Sequence, residues 1–454
     1  MKEHTSQSEH SGTNFPYLLF ISFVAALGGF LFGYDTAVIS GTIGQVTRKF
    51  GLDTIHVGWY VSSALVGSIA GVLVAGLISD YFGRKKAMIL SAVFFTVSAL
   101  GCAIAGSFTE LVLYRIVGGV GIGMISIVSP MYISEVAIPR FRGALVSLYQ
   151  LAITVGFLGA YLANYDLLKY STSGVDLQTP WMQRVFVSEE WRGMLGMEAL
   201  PAMLFLGIIF FVAESPRWLV MKGSAEKARR IMLRINSSLD RAQRQLTEMK
   251  NQLRAHDGPA LALMKHPSMI RAVAIGAAIA ILGQFMGVNA VLYYGPSIFM
   301  KSGLSGNDAL FYQAVVGGVN AFTTIIALLI IDKLGRKTLV YFGVSGMFIS
   351  LIVIAVFFVK GEEYGLSSAF LFVLFLLYIF FTAISISAVI FVFLSEMYPT
   401  AIRGVAMSIS GFSLWVGTFL IGQLTPWLLD NLTAEGTFLL FAFMCIPYLY
   451  IVRN

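Results

Sequence analysis

Apolar runs longer than any soluble core can use dominate this sequence. Residues 17–40, 57–79 and 370–394 are three of them, and each exceeds the roughly 18–20 residues that carry a helix across a bilayer. Hydrophobic residues make up 57% of the chain and charged residues 12%, against about 45–50% and about 25% in a soluble domain. A soluble enzyme is thereby excluded. The runs do not alternate, which excludes a transmembrane barrel. An all-α membrane protein remains, because a helix satisfies its own backbone polar groups within lipid.

The formal charge of +7 does not imply a nucleic-acid partner, because the basic residues sit in the short segments between apolar runs and act as topology determinants. Cys102 and Cys445 lie inside apolar runs, and His4, His10, His56, His256 and His266 show no ligand spacing, so neither a disulfide framework nor a metal site is expected. No phosphate loop and no nucleophile with a placed base appear, so no cofactor and no enzyme activity are expected. The polar residues before Tyr17 lack a cleavage site, which predicts an uncleaved first helix.

The runs predict twelve spans near 17–40, 57–79, 87–107, 110–133, 144–164, 194–213, 271–294, 309–331, 338–359, 367–394, 405–428 and 437–452. With both termini cytoplasmic, Arg84, Lys85, Lys86, Arg140, Arg142, Lys333, Arg336, Lys337 and a dozen cations in 214–271 fall on one side. This is the positive-inside pattern of a multi-pass protein of the cell membrane, inner or plasma. The only long polar segment, with alternating charges such as Glu226, Lys227, Arg229 and Arg230, suits short amphipathic helices. It separates an N-terminal half, 1–213, from a C-terminal half, 271–454, as a linker over 214–270.

The halves echo one another. Asp80-Tyr-Phe-Gly83-Arg84-Lys85 recurs as Asp332-Lys-Leu-Gly335-Arg336-Lys337, and Ser134-Glu135 with Arg142-Gly143 recurs as Ser395-Glu396 with Arg403-Gly404. Both pairs keep their order and their place at span ends. A duplicated six-helix unit builds its substrate site where two rocking halves meet. Taken with Gly33-Tyr34-Asp35, Glu214-Ser-Pro-Arg217 and Gln284…Asn289 with Tyr293-Tyr294, these motifs resemble the sugar porter family of the major facilitator superfamily over about residues 17–428. Among its members they look most like the bacterial proton-coupled pentose and hexose symporters. The resemblance implies a twelve-helix major facilitator fold of two six-helix halves, each a 3+3 repeat, with a cytoplasmic helical linker. The expected partners are a sugar, a proton and the surrounding bilayer, and the expected state is a monomer.

Asp35 lies within the first span and Arg115 near the start of the fourth. Charges inside hydrocarbon are costly and face a cavity or a partner, so the pair reads as proton-coupling, an assignment the family resemblance supports. A static salt bridge locking the bundle is the alternative. Arg84, Glu135, Arg142, Glu214, Arg217, Asp332, Arg336, Glu396 and Arg403 sit at cytoplasmic span ends. They read as a breakable gating network, because topology alone requires no carboxylate beside each arginine. A sugar needs groups that pair with hydroxyls and rings that cover its C–H faces. The family motif implies contacts from Gln150, Gln284, Asn289, Tyr293 and Asn320, with Tyr161, Phe391 and Trp415 as aromatic walls. A membrane glutamine or asparagine taken singly is as readily an interhelical hydrogen bond. Gly283, Gly287, Gly295 and Pro296 would let the seventh span break and bend.

The sequence also departs from the family. Gly283-Gln284 replaces two consecutive glutamines, Ser387-Ala388-Val389-Ile390-Phe391 replaces Gly-Pro-x-x-Trp, Leu414 stands where an amide is common, and Phe157 occupies a pocket position on span five. The family's Pro-Glu-Thr-Lys-Gly segment does not follow the twelfth span, so either the inner gate is one latch short or a tail lies outside this sequence. The expected pocket is less polar than a typical glucose or xylose site, which points to altered selectivity among small neutral sugars. The loop 166–193, with Trp181 and Trp191, is expected at the outer mouth. A facilitator of the same fold, a proton-driven exporter and a non-transporting nutrient receptor are the competing readings.

Overall fold

The computed structural model describes residues 14–174, 176–236, 238–255, 266–361, 363–398 and 403–453; the side chains of Asp332, Phe391, Glu396 and Arg403 lie outside the described residues. Among the described residues, twelve helices are long and apolar enough to cross a membrane. The first half contributes Phe15–Phe50, Thr54–Phe82, Arg84–Ile104, Phe108–Val136, Arg142–Thr172 and a sixth span made of Glu190–Gly196 and Ala199–Ile208. The second half begins with a seventh span in two pieces, Pro267–Phe285 and Val288–Lys301. It continues with Gly306–Leu334, Arg336–Lys360, a tenth span of Ser368–Thr382 and Ala388–Met397, then Arg403–Asn431 and Thr433–Arg453. Between the halves lie the linker helices Pro216–Met221, Ala225–Asn236 and Leu239–Ala255.

Local chemistry sets the ends. Asp53, Ser107 and Ser305 accept from the backbone N–H groups of His56 (2.8 Å), Glu110 (3.2 Å) and Asp308 (3.2 Å), capping the second, fourth and eighth spans. The first helix runs to Phe50, well past the apolar run, and Gly51 closes it in the left-handed region, its N–H bonded to the Thr47 carbonyl. Hydropathy marks where lipid ends; the glycine marks where the helix ends.

The duplication is visible in the packing. The first span lies along the fifth and the second along the fourth; the seventh lies correspondingly along the eleventh, the eighth along the tenth. The two Gly-Arg-Lys loops match as well, with Gly83 at φ 101° and Gly335 at φ 81°. Gly67 and Gly71 face Gly119 and Gly123, and a Cβ at any of the four would run into the opposing backbone, so these spans meet through small residues spaced one turn apart. The halves join along second against eleventh and fifth against eighth, two contacts that exchange when the halves are swapped.

Candidate functional site

Three deeply buried charges form one cluster. Asp35 is fully buried and its Oδ1 accepts from Arg115 Nη1, in a pair whose side chains are 0% and 3% exposed. Asp35 Oδ2 and Arg115 Nε have no hydrogen-bond partner among the described residues. Gly118, one turn beyond Arg115, makes room for the carboxylate, since a Cβ there would press on Asp35 Oδ2 and Ser98 Oγ. A third charge joins them. Glu198 sits at the junction of the two pieces of the sixth span, is 2% exposed, and interacts electrostatically with both Asp35 and Arg115. Its Oε1 is also without a partner. Two buried carboxylates thus lie within electrostatic reach of one guanidinium, a set that is neutral with one proton and anionic without it. Sequence reasoning missed Glu198, although an acid within the predicted sixth span was signal enough.

The seventh span breaks at Met286-Gly287. Gly287 takes φ 88°, open to glycine, and a Cβ there would meet the Phe441 ring. Tyr378 from the tenth span donates to the freed Met286 carbonyl at 2.7 Å. Gln284 and Asn289 straddle the break, with Asn289 Nδ2 donating to Gln284 Oε1 at 2.7 Å. Thr418 on the eleventh span donates to the same oxygen at 3.1 Å. Tyr293 is buried one turn beyond Asn289, and Asn320 is buried on the eighth span. Gln150 is half-buried on the fifth span, which packs against the eighth. Trp415 is buried with its ring centroid 5.5 Å from Phe32, and Phe32 lies one turn before Thr36, whose hydroxyl donates to its carbonyl at 2.6 Å. The first span therefore carries an aromatic contact to the second half beside the residue that pairs with Arg115.

Tyr161 is buried and bonded across the halves. Its hydroxyl donates 2.8 Å to the Leu292 carbonyl in the opposite half. That carbonyl is available because Pro296, four residues on, has no N–H to offer it; Gln313 Nε2 also donates to it, at 3.1 Å. Pro426 likewise frees the Gly422 carbonyl, which Tyr294 fills at 2.6 Å. Further bonds across the halves on this side run from Thr54 to Asp430 (2.7 Å), Ser62 to Gln423 (2.7 Å) and Gln423 to the Ile55 carbonyl (3.1 Å). The side away from the linker is closed.

On the linker side, Arg84 is buried and grips Glu135 with Nε and Nη2, both at 3.0 Å, while Nη1 donates to Ser79 O (3.0 Å) and Asp80 Oδ1 (2.9 Å). Ser215 Oγ donates to Glu135 at 2.5 Å. Glu214 accepts from the backbone N–H groups of Ser215, Arg84 and Lys85 at 2.8, 2.9 and 3.1 Å; burial pushes its carboxyl above the usual range and these donors pull it part of the way back. Gly83 is required here twice over, by its φ and because a Cβ would strike the Glu214 carboxylate. Of the network expected to clamp the halves together, Arg84, Glu135 and Glu214 are joined to one another, between the first half and the start of the linker. Arg142 is exposed and Arg217 half-buried, neither in an ion pair among the described residues; Arg336 opens the ninth span. Asp332, Glu396, Arg403 and Phe391 lie outside the described side chains.

The loop before the sixth span is anchored to the bundle at its far end. Trp191 is buried in the helix Glu190–Gly196, its ring 6.1 Å from Phe50, and Arg192 Nη1 caps the third span through the carbonyls of Ala105 (2.6 Å) and Ala103 (3.2 Å). Glu189 gathers Lys49, Arg184 and Arg192.

Two alike helical halves, meeting through breakable bonds around buried charges and amides, define a secondary transporter. A sequence profile described as "Sugar (and other) transporter" matches residues 21–453, and the chain belongs to that sugar transporter family, within the major facilitator fold. It is 35% identical to the arabinose-proton symporter of Bacillus subtilis (strain 168), over 96% of this chain and 91% of that one. It is 35% identical to the D-xylose-proton symporter of Escherichia coli (strain K12), over 92% and 87%. The partially occluded inward-open structure of the Escherichia coli xylose transporter XylE superposes with a TM-score of 0.82 at 32% identity, covering 96% of this chain and 98% of that one. The family and these relatives are transporters, not enzymes.

Proposed function

We propose that this chain is a symporter that carries one small neutral sugar inward with a proton by alternating access. The observation that carries the reading is the buried Asp35–Arg115–Glu198 cluster, one helical turn from the Phe32–Trp415 contact between the halves. The names of the arabinose-proton and D-xylose-proton relatives support it. The halves 1–213 and 271–454 rock about a cytoplasmic linker, 214–270, in a monomer of the cell membrane with both termini inside, an orientation the cation distribution supports.

In this reading a proton reaching Asp35 cancels its attraction for Arg115, and Glu198 becomes the guanidinium's remaining counter-charge. The first span is then released from the fourth and carries Phe32 with it. Gln284 and Asn289, now bonded to each other across the seventh-span break, exchange that bond for sugar hydroxyls, with Gln150, Tyr293 and Asn320 completing the polar set and Trp415 and Phe391 covering the ring. Tyr161 acts as a gate: its bond to Leu292 closes the outer side behind the sugar. Arg84, Glu135, Arg142, Glu214, Arg217, Asp332, Arg336, Glu396 and Arg403 form the inner gate. A membrane potential supplies about 2.3 kcal/mol per charge per 100 mV, enough with one proton to concentrate a neutral solute.

Uptake of labelled pentoses, hexoses, deoxy sugars and polyols into proteoliposomes tests this. Concentrative uptake of one class, abolished by a protonophore, is expected. Equilibration without any response to the gradient would make the protein a facilitator and the ion pair structural, and absence of sugar flux would overturn the assignment.

A further inference from the structure

A cavity of about 620 Å³ lies where the membrane spans meet the linker, away from the sugar pathway. Five cations line it, Lys85, Lys86, Lys227, Arg230 and Arg234, against a single carboxylate, Glu214. That carboxylate already accepts three backbone N–H groups, and Lys85 Nζ donates to the Phe210 carbonyl at 2.7 Å. Arg230 lies 3.9 Å from an exposed Glu226. Lys86, Lys227 and Arg234 are exposed and take part in no ion pair among the described residues. The surplus is positive, and it is convergent.

The linker helix Ala225–Asn236 is built for this. Ala228, Met232 and Ile235 bury one face, while Lys227, Arg230, Ile231 and Arg234, spaced at three and four residues, present the other to the cavity. The remaining wall is apolar. Phe82 and Phe210 end the second and sixth spans, 51% and 59% exposed, and Ile89 lies on the third. Cations above span-end aromatics match an amphiphile whose phosphate sits at the depth where the spans stop and whose chains run along the bundle. An inorganic anion would use the cations and leave the aromatic wall idle.

We propose that this cavity binds the headgroup of an anionic glycerophospholipid from the leaflet on the linker side, as basic pockets beside membrane helices do. The bound phosphate neutralises the surplus charge and ties the linker helix to the start of the third span, next to the Arg84–Glu135 grip.

The test is lipid binding to delipidated, detergent-purified full-length protein, followed by native mass spectrometry and thermal unfolding, with phosphatidylglycerol, phosphatidylcholine of the same chains, and inorganic phosphate as probes. Phosphatidylglycerol is expected to bind in preference to phosphatidylcholine and to raise the unfolding temperature. The variant Lys86→Gln/Lys227→Gln/Arg234→Gln should lose that preference by about tenfold or more. Arg229→Gln and Arg244→Gln, on linker helices but outside the cavity, should keep it. Single substitutions at Lys86 or Lys227 give the same reading if the triple variant does not fold. Equal binding of the two lipids, equal loss in the Arg229 and Arg244 controls, or saturation by inorganic phosphate at the concentration where the lipid acts would each overturn the proposal.

Discussion

Tyr161 and Pro296 show how a bond between the halves is written in two residues far apart in sequence. The proline removes the donor that Leu292 would have had, and the tyrosine of the opposite half supplies one at 2.8 Å. Tyr161→Phe removes that bond while Gln313 still serves the carbonyl. A buried hydrogen bond contributes about 0.5–1.5 kcal/mol, so the closed outer side should lose roughly that stability, read as faster labelling of a cysteine placed beneath Thr54. Unchanged labelling would mean that the bond does not hold the gate. Asp35 and Arg115 were legible in sequence because charges in apolar runs stand out. Glu198 was equally exposed to that logic and was passed over, because it lies in a span whose ends hydropathy places poorly. Glu198→Gln should leave sugar counterflow intact and shift the pH dependence of accumulation; identical pH profiles would remove Glu198 from the coupling cluster. Tyr161 read as a pocket wall from its family position, and only the geometry shows its hydroxyl engaged with Leu292.

At the scale of the element, the seventh span offered several glycines and a proline as break points, and propensity alone could not choose among them. The structure breaks at Gly287, whose φ of 88° no other residue adopts at low cost, while Pro296 stays inside the helix with its orphaned carbonyl satisfied. Gly287→Ala forces a left-handed alanine, at about 1–2 kcal/mol, and crowds Phe441. A lower unfolding temperature together with weakened sugar binding is the expected outcome, and a neutral effect on both would contradict the hinge. The outer end of the sixth span gives a pH prediction. Burial raises the Glu189 carboxyl, but hydrogen bonds from Lys49, Arg192 and Arg184 outweigh it and bring it from 4.5 to about 2. A lowered acid stabilises the fold above its unfolded value and loses that contribution as pH falls. The unfolding temperature of Glu189→Gln should therefore fall below that of the wild type above pH 4.5, with the gap closing toward pH 2. A gap independent of pH would assign the effect to packing.

For the molecule as a whole, twelve spans, their duplication and the linker could be read from apolar runs and two repeated motifs, because lipid imposes helices and leaves few alternatives. What the sequence could not show is which side is closed, since that depends on contacts between halves rather than on either half. The structure closes the side away from the linker through Thr54–Asp430, Ser62–Gln423 and Tyr161–Leu292. It joins Arg84 and Glu135 of the first half to Glu214 at the start of the linker. The central claim is that Asp35 couples the proton to the sugar rather than bracing the bundle. The most direct measurement compares wild type and Asp35→Asn in the same proteoliposomes, by gradient-driven accumulation and by sugar counterflow without a gradient. Coupling predicts that Asp35→Asn retains counterflow and loses accumulation; accumulation at the wild-type level, or loss of both together in a folded protein, would contradict it.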